Sequence, residues 1–141
     1  MKKILIIGLP WSGKTTFAKA LLDKLGEHKI SSAWYNGDHV RHTYDDWDFS
    51  LDGRLRQAQR MTEKANACKD IKIVSVCDFV CPTEYFREIF QPDILVWMDT
   101  IEKSEYEDTN QLFEKPTKYD YCITQFYQNA FVIDDIIRNL K

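Results

Sequence analysis

The segment from Gly8 to Thr15 carries the strongest chemical signal in the chain. Its letters, Gly-Leu-Pro-Trp-Ser-Gly-Lys-Thr, fit the pattern GxxxxGK[ST] at every fixed position. In that pattern the glycines let backbone N–H groups converge on phosphate oxygens, and the lysine neutralises phosphate charge. The threonine hydroxyl is a suitable hard ligand for Mg²⁺. The segment predicts a triphosphate site, with ATP and Mg²⁺ as expected ligands, formed by Gly8, Leu9, Pro10, Trp11, Ser12, Gly13, Lys14, Thr15 and Thr16.

A second polar segment begins at Asn36, just after a short apolar run. A carboxylate at Asp38 would lie across the phosphate groove from Lys14. There it could accept a proton from an acceptor hydroxyl or hold a Mg²⁺-bound water. Arg41, three residues later, could bind an anionic acceptor through its planar guanidinium group.

Elements that could position these residues follow from the apolar pattern. Short apolar runs predict buried strands, and runs with helical spacing alternate with them. The predicted strands cover residues 2–7, 32–35, 71–76, 94–98 and 121–123, the predicted helices cover 14–25, 52–69, 83–90 and 132–140, and residues 38–50 are predicted to be a loop with one helical turn. This alternation predicts one α/β domain over residues 1–141, in which a mostly parallel five-stranded sheet lies between helices.

Composition excludes several classes of protein. The chain has 141 residues, of which 44% are apolar, and a net charge of −3, which argues against general nucleic-acid binding. The apolar run Ile4 to Ile7 is far shorter than the roughly 20 residues that a membrane span needs. The four cysteines (Cys68, Cys77, Cys81 and Cys122) form no CxxC pair, and reduced thiols are typical of cytoplasmic proteins.

A phosphate loop serves both GTPases and small-molecule kinases. Thr117-Lys118-Tyr119-Asp120 matches the guanine-reading pattern [NT]KxD, but the residues before it do not form a buried strand. No DxxG segment follows a strand either. We interpret the match as accidental, and the sequence favours a kinase.

The order of motifs resembles the adenylylsulfate kinase family. In that family a phosphate loop precedes GDxVR, Phe-Ser and Asp-Arg segments, then an Asn and paired arginines on a helix. The matching residues here are Gly37 to Arg41, Phe49-Ser50, Gly53-Arg54, Gln57 and Arg60. Later, Val80-Cys81-Pro82 is similar to an Ile-Ser-Pro segment, and Phe113 to Pro116 to a Tyr-Glu-x-Pro segment. The resemblance covers most of the chain and implies a three-layer P-loop kinase fold.

The resemblance also implies roles for individual residues. Asp38 resembles the catalytic carboxylate that activates the acceptor hydroxyl, and Lys14 the lysine that acts on the transferred phosphate. The implied acceptor contacts are Arg41 and Arg54 to the phosphosulfate, Phe49 to the adenine, and Gln57, Val80 and Cys81 nearby. The implied reaction transfers phosphate from ATP to the 3′-hydroxyl of adenylylsulfate. The expected partners are ATP and a small anionic, nucleotide-like acceptor, and a homodimer is a further expectation.

Departures from the family pattern concentrate on the acceptor side. Gly53 replaces an Asp, Gln57 an Asn, Gln59 an Arg and Cys81 a Ser. Residues 101–118 are short and acidic where the family has a long lid with Arg-Asp and Lys-Gly-Leu-Tyr segments. Two alternatives therefore stay open: a kinase for another hydroxyl acceptor (a nucleoside, nucleotide or sugar), and a nucleotide-binding protein with little transferase activity.

Three residues have more than one interpretation. Asp78 follows a buried strand, where many P-loop enzymes place a carboxylate that orients Mg²⁺, so either Asp38 or Asp78 could hold the metal through water. Cys81 is predicted to be a buried neutral thiol rather than a reactive one. The Trp11 ring could cover a nucleotide or acceptor, or it could pack on a neighbouring loop.

Overall fold

Five parallel strands form the sheet at the centre of the molecule. The computed structural model describes residues 2–141, and its strands are β1 (Lys3–Ile7), β2 (Ser32–Asn36), β3 (Val74–Asp78), β4 (Ile94–Met98) and β5 (Tyr121–Ile123). Their spatial order is β2-β3-β1-β4-β5, and each neighbouring pair is parallel. The predicted α/β sheet is confirmed, with every described pairing parallel.

Helices connect the strands and cover both faces of the sheet. They are α1 (Lys14–Glu27), α2 (Gly37–Tyr44), α3 (Leu51–Asp70), α4 (Glu84–Phe90), α5 (Glu107–Leu112) and α6 (Asn129–Leu140), with a 3₁₀ turn at Phe126–Gln128. Among residues 2–141, no helix is both long and apolar enough to cross a membrane.

Two apolar cores hold the central strand β1 from opposite sides. Ile4 and Ile6 belong to one core, which includes Phe17 of α1 and Ile136 of α6. Leu5 belongs to the other, with residues of α3 and α4. Side chains alternate between the faces of a strand, so a run that is apolar at every position suits a strand covered on both sides. This double burial fixes the end of β1, from which the phosphate loop leaves the sheet.

Two predicted elements differ from the structure. The predicted loop over residues 38–50 contains an eight-residue helix, α2, which starts at Gly37 because the Asn36 side chain accepts a hydrogen bond from His39 N (3.1 Å). Strand β3 begins three residues later and ends two residues later than predicted. Ile71 is instead the C-cap of α3, Lys72 has a φ of 61°, and the strand runs from Val74 to Asp78.

The start of α3 packs closely on the loop before it. Ser50 caps this helix by accepting a hydrogen bond from Gly53 N (3.3 Å). A Cβ atom on Gly53 would lie 2.0 Å from the Asp48 carbonyl oxygen. The Asp that the family has at this position therefore cannot be accommodated unless the loop moves.

Replacing Gly53 tests this packing. Gly53→Ala is expected to lower the free energy of unfolding by about 1–3 kcal/mol, because the added methyl group presses on the Asp48 backbone. Urea unfolding followed by circular dichroism measures the change. Gly26→Ala in α1 is the control, since a Cβ there meets no atom within 4 Å. It is expected to leave stability unchanged or raise it by roughly 0.5–1 kcal/mol, so equal losses in the two variants would contradict the proposed clash.

Candidate active site

One cavity of about 980 Å³ lies at the carboxyl ends of the strands. It brings together most of the predicted site residues: Pro10, Trp11, Gly13, Lys14, Thr15, Thr16, Asp38, Arg41, Phe49, Arg54, Gln57, Asp78, Val80 and Cys81. Gly8, Leu9 and Ser12 do not line this cavity and are buried. The donor-side and acceptor-side residues therefore face a common space.

The phosphate loop depends on backbone conformations that favour glycine. Gly13 has a φ of 97°, and a Cβ atom there would lie 2.4 Å from Cε1 of Phe126. Trp11 also has a positive φ, 68°, although a non-glycine residue in this region costs about 1–2 kcal/mol. Because Gly13 precedes the first residue of α1 and has no side chain, the first-turn N–H groups of that helix remain available to an anion.

The Lys14 side chain folds back onto the phosphate loop. Its Nζ donates a hydrogen bond to the Leu9 carbonyl oxygen at 2.8 Å. Burial lowers the pKa of Lys14 to about 8, against the opposing charges of Asp78 and Asp38. The ammonium group has lost much of its hydration, so an incoming phosphate would compensate for that loss.

A buried hydrogen-bond network joins the phosphate loop to β2 and β3. Thr15 Oγ1 donates to Asp78 Oδ2 (3.0 Å), and Asn36 Nδ2 donates to the same carboxylate oxygen (2.9 Å) and to Thr15 Oγ1 (3.1 Å). Trp34 Nε1 donates to Asp78 Oδ1 at 2.6 Å. Burial raises the pKa of Asp78 above its ordinary value, although these hydrogen bonds and the Lys14 charge oppose that shift.

The donor atoms of this network fit Mg²⁺. The cation prefers oxygen ligands, and it usually binds through one or two protein groups together with substrate phosphates. Thr15 supplies a hydroxyl beside the phosphate loop, and Asp78 supplies a carboxylate in direct contact with it. Asp38, by contrast, lies exposed in the first turn of α2.

Two arginines and one aromatic ring line the part of the cavity that is predicted to bind the acceptor. Arg41 and Arg54 are only 5% and 6% exposed, and their guanidinium carbons lie 4.2 Å and 5.5 Å from the centre of the Phe49 ring. Arg41 donates to the carbonyl oxygens of Asp46 (3.0 Å) and Asp48 (3.1 Å). Arg54 donates to the Phe49 carbonyl oxygen at 2.9 Å. The ring that was expected to stack on a base is thus already stacked on a guanidinium group.

Gln57 lines the cavity and has one side-chain atom without a hydrogen-bond partner in the part of the chain that the structure describes. Its Nε2 donates to the Gly37 carbonyl oxygen at 2.8 Å, which orients the amide. The Oε1 atom is buried and has no hydrogen-bond partner among residues 2–141. A buried carbonyl oxygen without a donor is unfavourable, so this atom suits a ligand that carries an N–H or O–H group.

The predicted lid-like segment, residues 101–118, contains α5 and packs on the acceptor side. Thr109 Oγ1 accepts a hydrogen bond from Arg54 Nη2 (2.9 Å), and Asp108 lies 4.0 Å from the same guanidinium nitrogen. Asn110 holds the turn before α5, because its side chain accepts from Ser104 N (2.8 Å) and donates to Ser104 O (2.7 Å). The segment therefore brings carboxylate rather than cationic charge to the cavity.

Val80 and Cys81 line the cavity just before α4. Cys81 is 1% exposed and has a φ of 46°, and its carbonyl oxygen accepts a hydrogen bond from Arg87 Nε (3.0 Å). Arg87 Nη2 also donates to the Glu114 carbonyl oxygen (2.7 Å). This arginine, which no sequence motif marks, joins the Cys81 backbone to Glu114 of the lid-like segment.

Several cavity residues were missed by the sequence analysis. They are Asn36, Trp47, Phe79, Pro82, Phe86, Tyr106, Asp108, Thr109 and Phe126. Asn36 could have been found, since it ends β2 directly opposite Asp78 in β3. The segments that contain Trp47, Tyr106 and Phe126 have no apolar periodicity. The sequence therefore could not predict that these side chains line the cavity.

The residues that match [NT]KxD lie at the opposite end of the strands from the phosphate loop. Asp120 Oδ2 accepts a hydrogen bond from Leu95 N (2.7 Å), near the first residue of β4. That carboxylate holds the amino end of a strand, whereas the phosphate loop lies beyond the carboxyl ends.

Thiol labelling tests the environment of Cys81. Burial raises its pKa to about 12, so almost none of the thiol is ionised at pH 8. We expect iodoacetamide to leave Cys81 unmodified in the folded protein at pH 8 and to modify it after unfolding in urea, as read by peptide mass spectrometry. The partly exposed Cys122 serves as the internal comparison. Labelling of Cys81 before Cys122 in the folded protein would contradict the buried, neutral thiol.

Comparison with characterised sequences places the chain among known relatives. The adenylyl-sulfate kinase of Enterobacter sp. (strain 638) is 32% identical over 116 residues, which cover 77% of this chain and 58% of that protein. The adenylyl-sulfate kinase of Shewanella halifaxensis (strain HAW-EB4) is 38% identical over 82 residues, or 57% of this chain and 40% of that protein. The chain thus spans 58% or less of the length of these two relatives.

Solved structures share the fold at lower identity. An APS kinase of Mycobacterium tuberculosis, solved in complex with AMPPNP and APS, superposes with a TM-score of 0.83 and 20% identity, covering 99% of this chain and 96% of that one. A gluconokinase from Sinorhizobium meliloti 1021 superposes with a TM-score of 0.65 and 12% identity, covering 99% and 95%. The sequence model of one family, described as Adenylylsulphate kinase, matches residues 2–122. The chain therefore belongs to the adenylylsulfate kinase family.

Proposed function

We propose that this protein transfers the γ-phosphate of ATP to the 3′-hydroxyl of adenylylsulfate. The observation that carries the proposal is the shared cavity, which joins a phosphate loop to two buried arginines stacked on Phe49. Membership of the adenylylsulfate kinase family supports ATP as the donor and adenylylsulfate as the acceptor.

The donor half of the site suits ATP with Mg²⁺. The free N–H groups at the start of α1 and the Lys14 ammonium group would bind the β- and γ-phosphates. Thr15 would be a direct ligand of Mg²⁺, and Asp78 would orient its bound water. The metal supplies positive charge at the phosphates when bound. The Trp34 and Asn36 hydrogen bonds keep the Asp78 carboxylate directed at Thr15.

The acceptor half suits a planar, anionic molecule. Arg41 and Arg54 provide guanidinium groups for an anionic portion, and Phe49 is 48% exposed, which leaves ring surface for a base. The unpaired Gln57 Oε1 would accept a hydrogen bond from a hydroxyl or amino group of the acceptor. Val80 and Cys81 close this end of the cavity.

Asp38 is the residue proposed to act on the acceptor hydroxyl. It lines the cavity near enough to Lys14 to oppose the shift in the lysine pKa, and Asn36 caps the helix that carries it. Its carboxylate would accept the hydroxyl proton as the oxygen attacks the γ-phosphorus and the bond to ADP breaks. Asp78 is buried and fully engaged with donors, so we assign it to the metal side instead.

One observation favours a second candidate, a kinase with the same donor and a less anionic hydroxyl acceptor. Asp108 lies 4.0 Å from Arg54, and the same guanidinium group bonds to Thr109. Part of the charge available to a phosphosulfate group is therefore already balanced by the protein.

Separate variants of the two carboxylates test their assigned roles. Asp38→Asn is expected to lower kcat by about 10²–10⁴ while leaving the Mg²⁺ concentration for half-maximal activity nearly unchanged. Asp78→Asn is expected to raise that Mg²⁺ concentration by about 10–100-fold. Steady-state ADP release, measured across a Mg²⁺ series, gives both quantities. Asp23→Asn, on the exposed face of α1, is the control. Exchanged phenotypes would reverse the two assignments.

An acceptor panel tests the function itself. The protein is incubated with ATP, Mg²⁺ and either adenylylsulfate, a nucleoside, a nucleotide or a sugar, and ADP and phosphorylated product are quantified. Turnover with adenylylsulfate that disappears in Asp38→Ala is the expected result. Turnover confined to another acceptor would refute adenylylsulfate, and ATP binding without acceptor-stimulated ADP would refute transfer. Lys14→Ala is expected to weaken ATP binding strongly, and unchanged affinity would refute the phosphate-loop assignment.

Location and assembly complete the proposal. All four cysteines are free thiols, as is usual for proteins in the reducing cytoplasm, which supports a cytoplasmic location. A homodimer remains a prediction from the family resemblance.

A further inference from the structure

Exposed aromatic side chains surround the cavity. Of the large apolar side chains that are exposed among residues 2–141, five line this one space: Trp11, Trp47, Phe49, Tyr106 and Phe126. Trp11 is the most exposed of them, at 81%, and it alone belongs to the phosphate loop. Its ring therefore lines the same space as the loop that would bind the transferred phosphate.

Folding stability does not account for a tryptophan at this position. The backbone φ of 68° is one that glycine adopts without steric cost and that larger residues avoid. A ring that is 81% exposed gains little packing in return. The side chain thus gains little in the free protein, and its place on the cavity wall leaves the ring free to contact a molecule that enters the cavity.

The lid-like segment leaves the phosphate side of the cavity without a cationic cover. Its three lysines, Lys103, Lys115 and Lys118, do not line the cavity, and Thr109 anchors the segment to Arg54. The cations that line the cavity are Lys14, Arg41 and Arg54, all of which lie outside that segment. Phosphoryl transfer nevertheless needs water to be excluded, because water competes with the acceptor hydroxyl for the γ-phosphorus.

We propose that the Trp11 indole covers the γ-phosphate and excludes water during transfer. The proposal rests on the proposed kinase function. With the ring in place, the acceptor oxygen bonds to the γ-phosphorus as the bond to ADP breaks. Without it, a water oxygen takes the acceptor's place, and the products are ADP and inorganic phosphate. Trp11 thereby determines whether the acceptor or a water molecule receives the γ-phosphate.

The ratio of inorganic phosphate to phosphorylated acceptor tests this role of Trp11. Trp11→Gly is expected to raise the ratio of inorganic phosphate to phosphorylated acceptor by about tenfold, whereas Trp11→Phe keeps a ring and most of the selectivity. The melting temperature of Trp11→Gly should not fall, because glycine suits the backbone and little packing is lost. Phe131→Ala removes another exposed ring, 74% exposed and outside the cavity, and should leave the ratio unchanged.

Fluorescence quenching provides a readout that does not depend on turnover. The Trp11 signal is obtained as the wild-type emission minus that of Trp11→Phe, and acrylamide quenching is compared with and without AMPPNP and Mg²⁺. Protection of Trp11 by the nucleotide is the expected result. Unchanged quenching in a protein that binds the nucleotide, together with an unchanged product ratio in Trp11→Gly, would overturn the Trp11 proposal alone. Failure of the wild type to bind AMPPNP would overturn the kinase proposal as well.

Discussion

The buried carboxylate of Asp78 is the constraint on which the rest of the site depends. It is 1% exposed, and removing a charge from water to this extent is unfavourable unless donors surround it. The donors come from Trp34, Asn36 and Thr15, which belong to β2 and to the first turn of α1. Satisfying one carboxylate therefore fixes the relative positions of two strands and the phosphate loop.

The phosphate loop could be predicted from the sequence because its signals are local. The phosphate-loop pattern specifies backbone conformation and ligand type within eight residues, and the apolar run of β1 specifies the element that precedes it. The strand that ends at Asp78 could be located only approximately, since Ile71 and Ile73 are as apolar as the residues that follow them. The turn that begins β3 at Val74 depends on the end of α3, which periodicity does not reveal.

The acceptor side could be predicted less completely because its contacts join distant segments. Arg54 was singled out, but its bond to Thr109 spans 55 positions and follows no motif. The same holds for Arg87 and Glu114, which join α4 to the lid-like segment. The family has an Asp where this chain has Gly53, and the sequence alone gives no reason for the difference. The close approach of Gly53 to Asp48 explains it.

The direct junction between β2 and α2 has a mechanical consequence. Asn36 is the last residue of the strand and Gly37 the first of the helix, so no residue between them can act as a hinge. Gly37 also lies against Phe79, where a Cβ atom would be 2.8 Å from the Phe79 Cβ. We therefore expect Asp38 and Arg41 to move together with the sheet. Adaptation of this scaffold to other ligands would then proceed through residues 45–50 and 101–112, while Asp38 keeps its distance from the phosphate loop.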